Sequence, residues 1–245
     1  MNRKVLLIGY SGGGQAPLLG MKSDFKAFAG FFRSNHGGAY NDDEIESHIN
    51  LTRQQFSDIV RVLHIRHISS VAIVLCLHGG SDKYGQPFYC FSDGNNIYLH
   101  EIEDMMRGIP ALVIADSCRE RWLEPISEST EVRMFSKGGG IQSSREVYRA
   151  LYDSYIKVLN ANTFTVGFAC ADNEVVDESS RGGLYSQTLI ECAETVARQL
   201  ADSRDNMASF SYIHSLAERV LASTDQNPEY RGTRSRYQFP FVVQP

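Results

Sequence analysis

Apolar residues recur along this chain in two alternating rhythms. Residues 4–10, 71–77, 110–115 and 164–170 are short runs rich in Val, Ile, Leu and Phe, and they read as strands buried on both faces. Between them, apolar positions fall at helical spacing. Phe25, Phe28, Ala29 and Phe32 mark a helix over 22–33. Phe56, Ile59, Val60 and Leu63 mark another, opened by the Thr52 and Gln55 pair of a capping box. Tyr185, Leu189, Cys192, Val196 and Leu200 form the stripe of a third over 184–200. Helices are also expected over 99–107, 146–159 and 207–221, with a closing strand over 239–243. Residues 85–99 alternate around Asp93-Gly94, a hairpin signal. Residues 35–50 read as a loop holding a short strand. Residues 119–144, with Pro125 and three consecutive glycines from Gly138, show neither rhythm and read as a surface loop or linker. Residues 172–181 read as an acidic loop. Strands alternating with helices predict an α/β fold, a mainly parallel central sheet with helices on both faces and a small β-hairpin beside it.

Two of the buried runs end on reactive side chains. Residues 71–77 stop at His78-Gly79-Gly80, and residues 110–115 stop at Asp116-Ser117-Cys118-Arg119. Open α/β sheets bind ligands at the carboxyl ends of their strands. One strand therefore delivers an imidazole and another a thiol to the same sheet edge, the arrangement of a Cys/His nucleophilic dyad. Cys118 is the expected nucleophile and His78 its base. The backbone N–H groups of Gly79 and Cys118 are the natural oxyanion donors, glycine allowing a close approach of backbone to substrate. His36, His48, His64, His67, His100 and His214 read as loop or helix residues.

Composition narrows the field mainly by exclusion. The chain has 245 residues, 42% hydrophobic and 22% charged, ordinary values for a globular protein, and is read as one domain over 1–245. A net charge of −5 gives no basic surplus for nucleic acid. No apolar run reaches the roughly eighteen residues that span a bilayer, so no membrane partner is expected. The start of the chain reads as a first strand, not a signal segment. Five cysteines without a CxxC pair disfavour a disulfide framework and a zinc site, and fit reduced thiols in the cytoplasm. Cys76, Cys170 and Cys192 sit in apolar patterns and read as core. Gly9, Gly12, Gly13 and Gly14 suggest a dinucleotide loop but lack its spacing.

The motifs, taken in order, resemble the caspase-like cysteine peptidases (caspases, metacaspases and their bacterial relatives) along nearly the whole chain. His78-Gly79 resembles the family's His-Gly, and Ala115-Asp116-Ser117-Cys118-Arg119 stands where metacaspases carry Asp-Ser-Cys. Tyr89-Cys-Phe-Ser-Asp93-Gly94 with residues 97–102 resembles the caspase hairpin and following helix. Gly20-Met-Lys-Ser-Asp24 resembles the Gly-x-x-x-Asp after the first strand. Gly182-Gly-Leu-Tyr-Ser-Gln187-Thr-Leu resembles the opening of the small-subunit helix, and Gln226-Asn-Pro228 a motif near metacaspase ends. Glu120 departs from the glycine that follows Cys-Arg in caspases. The resemblance implies a caspase-hemoglobinase fold, with a large-subunit-like half at 1–120, a linker at 121–144 and a small-subunit-like half at 145–245. It implies peptide-bond hydrolysis in a regulated cascade such as cell death or anti-phage defence, with a protein substrate and an activating protein partner. The alternative is an inactive caspase-like scaffold, which retention of both His78 and Cys118 argues against.

Specificity follows from charge. Caspases cut after Asp using arginines and the Gln just before the catalytic Ala-Cys; here that Gln is Asp116, and Leu18 and, by a loose count back from Gly182, Asp177 fall where the arginines would lie. A pocket with carboxylates and no guanidinium attracts Arg or Lys. Asp24 and Asp116, which resemble metacaspase acids, are the main candidates, and Asp172 and Asp177 the secondary ones. Asp24 also reads as a helix-start acid, and 172–178 as a solvated acidic loop. Cys76 shares a sheet face with His78, as pocket floor or as plain core. Arg121, Arg133, Lys137 and Arg145 are candidate self-cleavage points. No cofactor is expected. Calcium activation, seen among metacaspases, finds no EF-hand-type loop here.

Overall fold

The computed structural model describes residues 1–12, 18, 20–119, 144–174, 176, 178–179 and 182–245. The expected linker at 121–144, apart from Ser144, and Asp177 therefore lie outside the described residues.

The chain enters as β1 (Arg3–Gly9) and passes through α1 (Met21–Arg33) to β2 (Ile45–Ile49). It returns through α2 (Arg53–Ile65) to β3 (Ser70–Cys76), which pairs parallel with β1. A side excursion follows: β4 (Gly79–Ser81), β5 (Pro87–Cys90), β6 (Asn96–Tyr98) and the short α3 (Leu99–Met105). The chain rejoins the main sheet at β7 (Ala111–Ala115), then runs through α4 (Arg145–Lys157) to β8 (Phe164–Phe168). Two-residue strands β9 (Glu178–Ser179) and β10 (Gly182–Gly183) pair just before α5 (Leu184–Leu200). The last elements are β11 (Met207–Ser209), α6 (Phe210–Leu221), β12 (Glu229–Gly232) and β13 (Pro240–Val243).

Among the described residues the main sheet has six strands in the order β12-β8-β7-β3-β1-β2. All neighbours are parallel except β12, which runs antiparallel on β8 at one edge. Every residue of β1, β3, β7 and β8 is buried, as expected for strands covered on both faces. The period-two alternation sorts their side chains. Val5, Leu7, Val74, Leu112 and Ile114 join the aromatic residues of α1, α4, α5 and α6 in one core. Leu6, Ile8, Ile73, Leu75 and Val113 join Phe56, Val60 and Leu63 of α2 and Ile102 of α3 in the other. The Thr52 cap forms as expected: its hydroxyl accepts the Gln55 N–H at 3.2 Å, and the Gln55 carbonyl oxygen accepts the Thr52 N–H at 2.8 Å.

Four local expectations change. The hairpin around Asp93-Gly94 forms, with Gly94 at φ +75° in its turn, but β4 adds a third antiparallel strand. Residues 207–209 leave the expected last helix to pair with β13, and Ser209 instead caps α6 by accepting the Tyr212 N–H at 3.3 Å. The closing strand thereby joins a small separate sheet. β12, whose residues 229–231 are exposed, has no apolar pattern to announce it.

Candidate active site

β3 and β7 are adjacent and parallel, with Leu75 opposite Ala115. Their carboxyl ends open on one edge, so His78 just beyond β3 and Cys118 just beyond β7 face the same pocket. Each is held from behind. The His78 carbonyl accepts the Cys90 N–H at 2.8 Å, tying the strand end to β5. The Tyr10 ring meets the imidazole edge-on, with centroids 5.8 Å apart and planes at 86°, and the Tyr10 N–H bonds the Cys76 carbonyl at 3.1 Å. The half-buried Cys118 sulfur accepts the Val176 N–H at 3.5 Å.

Arg119 clamps the segment that follows. Its N–H donates to the Glu174 carbonyl at 3.0 Å, and its own carbonyl accepts the Asn173 N–H at 3.0 Å. Its guanidinium lies 4.4 Å over the Phe168 ring, donates to the Cys170 carbonyl at 3.2 Å and pairs with Glu229 of β12. Gly79 lets β4 pass directly over this segment. A Cβ there would stand 2.9 Å from the carbonyl oxygens of both Cys118 and Phe88. Gly79→Ala is therefore expected to push the two strand ends apart at a cost of about 1–3 kcal/mol. A melting curve checks this, and an unchanged midpoint contradicts the close approach.

The pocket's other wall is acidic. Asp24 from the first turn of α1 and Asp116 just after β7 are both buried. Both Asp24 oxygens accept the Gly183 N–H at 3.1 Å, and Asp116 Oδ2 accepts the Ser186 hydroxyl. Gly182 sits at φ +117°, a conformation that favours glycine, and its carbonyl accepts from the Gln187 amide at 3.0 Å. A methyl on Gly183 would overlap the Asp116 carboxylate. Cys76 is buried, packs in the core and lines the pocket. Among the described residues lining the pocket there are two carboxylates and no lysine or arginine. Its volume is about 40 Å³.

The structure thus gathers His78, Cys118, Asp24, Asp116 and Cys76 around one cavity, with Gly79 against the Cys118 backbone. Asp172 lies elsewhere: its Oδ2 is 3.5 Å from where a Gly85 Cβ would be, at the turn between β4 and β5, and it does not line the pocket. Glu174 accounts for that placement by accepting the N–H groups of Ala171 at 3.0 Å and Asn227 at 3.1 Å, which ties the loop to the segment before β12. Of the expected cleavage points, Arg121, Arg133 and Lys137 lie outside the described residues. Arg145 opens α4, not a loop, and its guanidinium donates to the Arg33 carbonyl at 2.6 Å and to the Tyr40 carbonyl. His48 lies within β2, not in a loop or helix, with Nε2 3.5 Å from Glu46. His64 bonds the Met105 carbonyl at 2.7 Å, and no group of metal-ligating residues gathers among the described residues. Burial pushes the Cys170 thiol up to about 12, and the nearby Cys118 sulfur adds to that shift. Cys170 therefore stays protonated and inert, as its core pattern suggests. Tyr10, Val176 and Ser186 are site residues that the sequence did not single out.

A family model described as "Caspase domain" matches residues 2–239. No curated protein matches the chain. Among solved structures, the crystal structure of a protein from Geobacter sulfurreducens superposes with a TM-score of 0.63 at 15% identity, covering 100% of both chains. That likeness concerns the fold. Among the described residues no helix is long and apolar enough to cross a membrane.

Proposed function

The chain belongs to the caspase-domain family, and we propose that within it this protein is a cysteine endopeptidase that cuts after arginine or lysine. The observation that carries this is a single pocket at the carboxyl ends of two adjacent strands, lined by a thiol, an imidazole and two buried carboxylates. In the proposed reaction the Cys118 thiol passes its proton to His78 as the sulfur attacks the scissile carbonyl carbon. The carbonyl oxygen takes up negative charge, met by the N–H groups of Gly79 and Cys118. The C–N bond then breaks as His78 gives a proton to the departing amine, leaving a thioester on Cys118. Water, deprotonated by His78, attacks the thioester and releases the new carboxylate together with the free thiol.

Asp24 and Asp116 supply the counter-charge for a guanidinium or ammonium in the residue before the cut, and they repel an aspartate. Val176 lines the cavity, and its backbone N–H donates to the Cys118 sulfur at 3.5 Å.

The test is covalent labelling. A peptidyl chloromethyl ketone ending in arginine is expected to alkylate Cys118 rapidly, and one ending in aspartate slowly, with the adduct located by peptide mass mapping. Faster labelling by the aspartate reagent would reverse the specificity assignment. Labelling by iodoacetamide but by neither peptide reagent would favour a scaffold that binds without hydrolysis.

A further inference from the structure

We propose that Ser186 is a positioning residue for basic-residue specificity, fixing Asp116 as an acceptor that faces the pocket. The inference rests on the peptidase reading above and extends it to a residue that touches no substrate. Ser186 is fully buried in the first turn of α5, and its hydroxyl donates to Asp116 Oδ2. From the other side, Gly183 packs so closely on the same carboxylate that a Cβ would overlap it. Asp116 is therefore gripped between a hydroxyl donor and a glycine backbone and has little freedom to turn away.

The grip matters because Asp24 flanks the same glycine. Its two oxygens accept the Gly183 N–H, so two carboxylates converge on one short turn. Neighbouring carboxylates disfavour each other's charge unless donors compensate. Here the turn from Gly182 to Ser186 supplies one donor to each acid, at the amino end of a helix whose dipole adds in the same sense. The neighbouring Tyr185 is directed elsewhere, its hydroxyl paired with His214 Nδ1 at 2.8 Å. Burial lowers His214 to about 4, so that pair is neutral near pH 7 and supplies no counter-charge to the acids.

The experiment compares wild type with Ser186→Ala and Ser186→Thr. Removing the hydroxyl is expected to lower kcat/KM about tenfold for a peptide with arginine before the cut, mainly through KM, the size of one hydrogen bond to a charged group. An otherwise identical peptide with norleucine there is expected to change less than about twofold, and threonine, which keeps the hydroxyl, to restore the arginine preference. An equal fall for both peptides, or none, overturns the proposal. Benzamidine affinity by calorimetry gives a second measurement that needs no catalysis: wild type and Ser186→Thr are expected to bind it, and Ser186→Ala about tenfold more weakly. Wild type that binds benzamidine with this dependence on Ser186 but cleaves neither peptide would sink the peptidase reading and leave the role of Ser186 intact. Wild type that does not bind benzamidine, or a Ser186→Ala variant that binds it equally, would sink the role itself.

Discussion

Cys118→Ala is expected to abolish hydrolysis of arginine-containing peptides, lowering kcat by at least about 10⁴-fold while leaving the melting temperature near that of wild type. The thiol sits half-buried at a strand end with a backbone N–H on its sulfur, and neighbouring residues hold the segment through Arg119 rather than through the thiol. Alanine therefore removes the bond-forming atom without removing the scaffold around it. His78→Ala is expected to cost less, about 10²–10⁴-fold, because a thiolate held by other donors still attacks while the leaving amine loses its proton source. Cys170→Ser separates chemistry from proximity. The Cys170 thiol lies beside Cys118 but is held up at about 12, and it donates to the carbonyls of Ser117 and Glu174 at 3.5 Å, a task a hydroxyl can take over. That variant is expected to remain active. Initial rates on a fluorogenic arginine substrate decide the matter. A Cys118→Ala protein as active as wild type would remove the sulfur from the mechanism.

The sequence made the placement of His78 and Cys118 legible because each ends a run of buried strand residues, and burial on both faces writes itself as an uninterrupted apolar stretch. The α2 cap and the Asp93-Gly94 turn were legible for a similar reason, being local devices whose partners lie within a few residues. The elements that escaped share a different property. β12 has exposed residues at 229–231 at the sheet edge and holds its place through backbone pairing and the reach of Glu229 to Arg119, a contact made over 110 positions in sequence. The strand at 207–209 exists only because residues 240–243 return to meet it. Ser186 looks like any polar residue of a first helical turn until Asp116 arrives from β7. Asp172 had the right charge for a pocket acid, but nothing local announced that Glu174 would anchor its loop to Asn227. Pattern reports burial; it does not report which distant side chain a polar group will meet.

Asp116→Asn is expected to cut kcat/KM for arginine-containing peptides by about 10²–10³-fold while changing an uncharged analogue little. Asparagine nearly matches the aspartate in shape and can still accept the Ser186 hydroxyl, so the loss isolates the charge. Removing one member of a buried ion pair typically costs about 3–5 kcal/mol, and each 1.4 kcal/mol is about tenfold. The effect should fall toward the lower end, because Asp24 keeps one negative charge on the same turn. Asp24→Asn should act in the same direction. In the double variant the two losses should not add, since both acids lie against one glycine and each weakens the other's hold on its charge. A substrate-library profile of wild type and the three variants measures all of this at once. If Asp116→Asn left arginine preferred by its original margin, the carboxylate wall would be structural and the source of specificity would lie elsewhere. If wild type itself chose aspartate over arginine, a cationic group absent from the described pocket lining would have to enter the pocket when substrate binds.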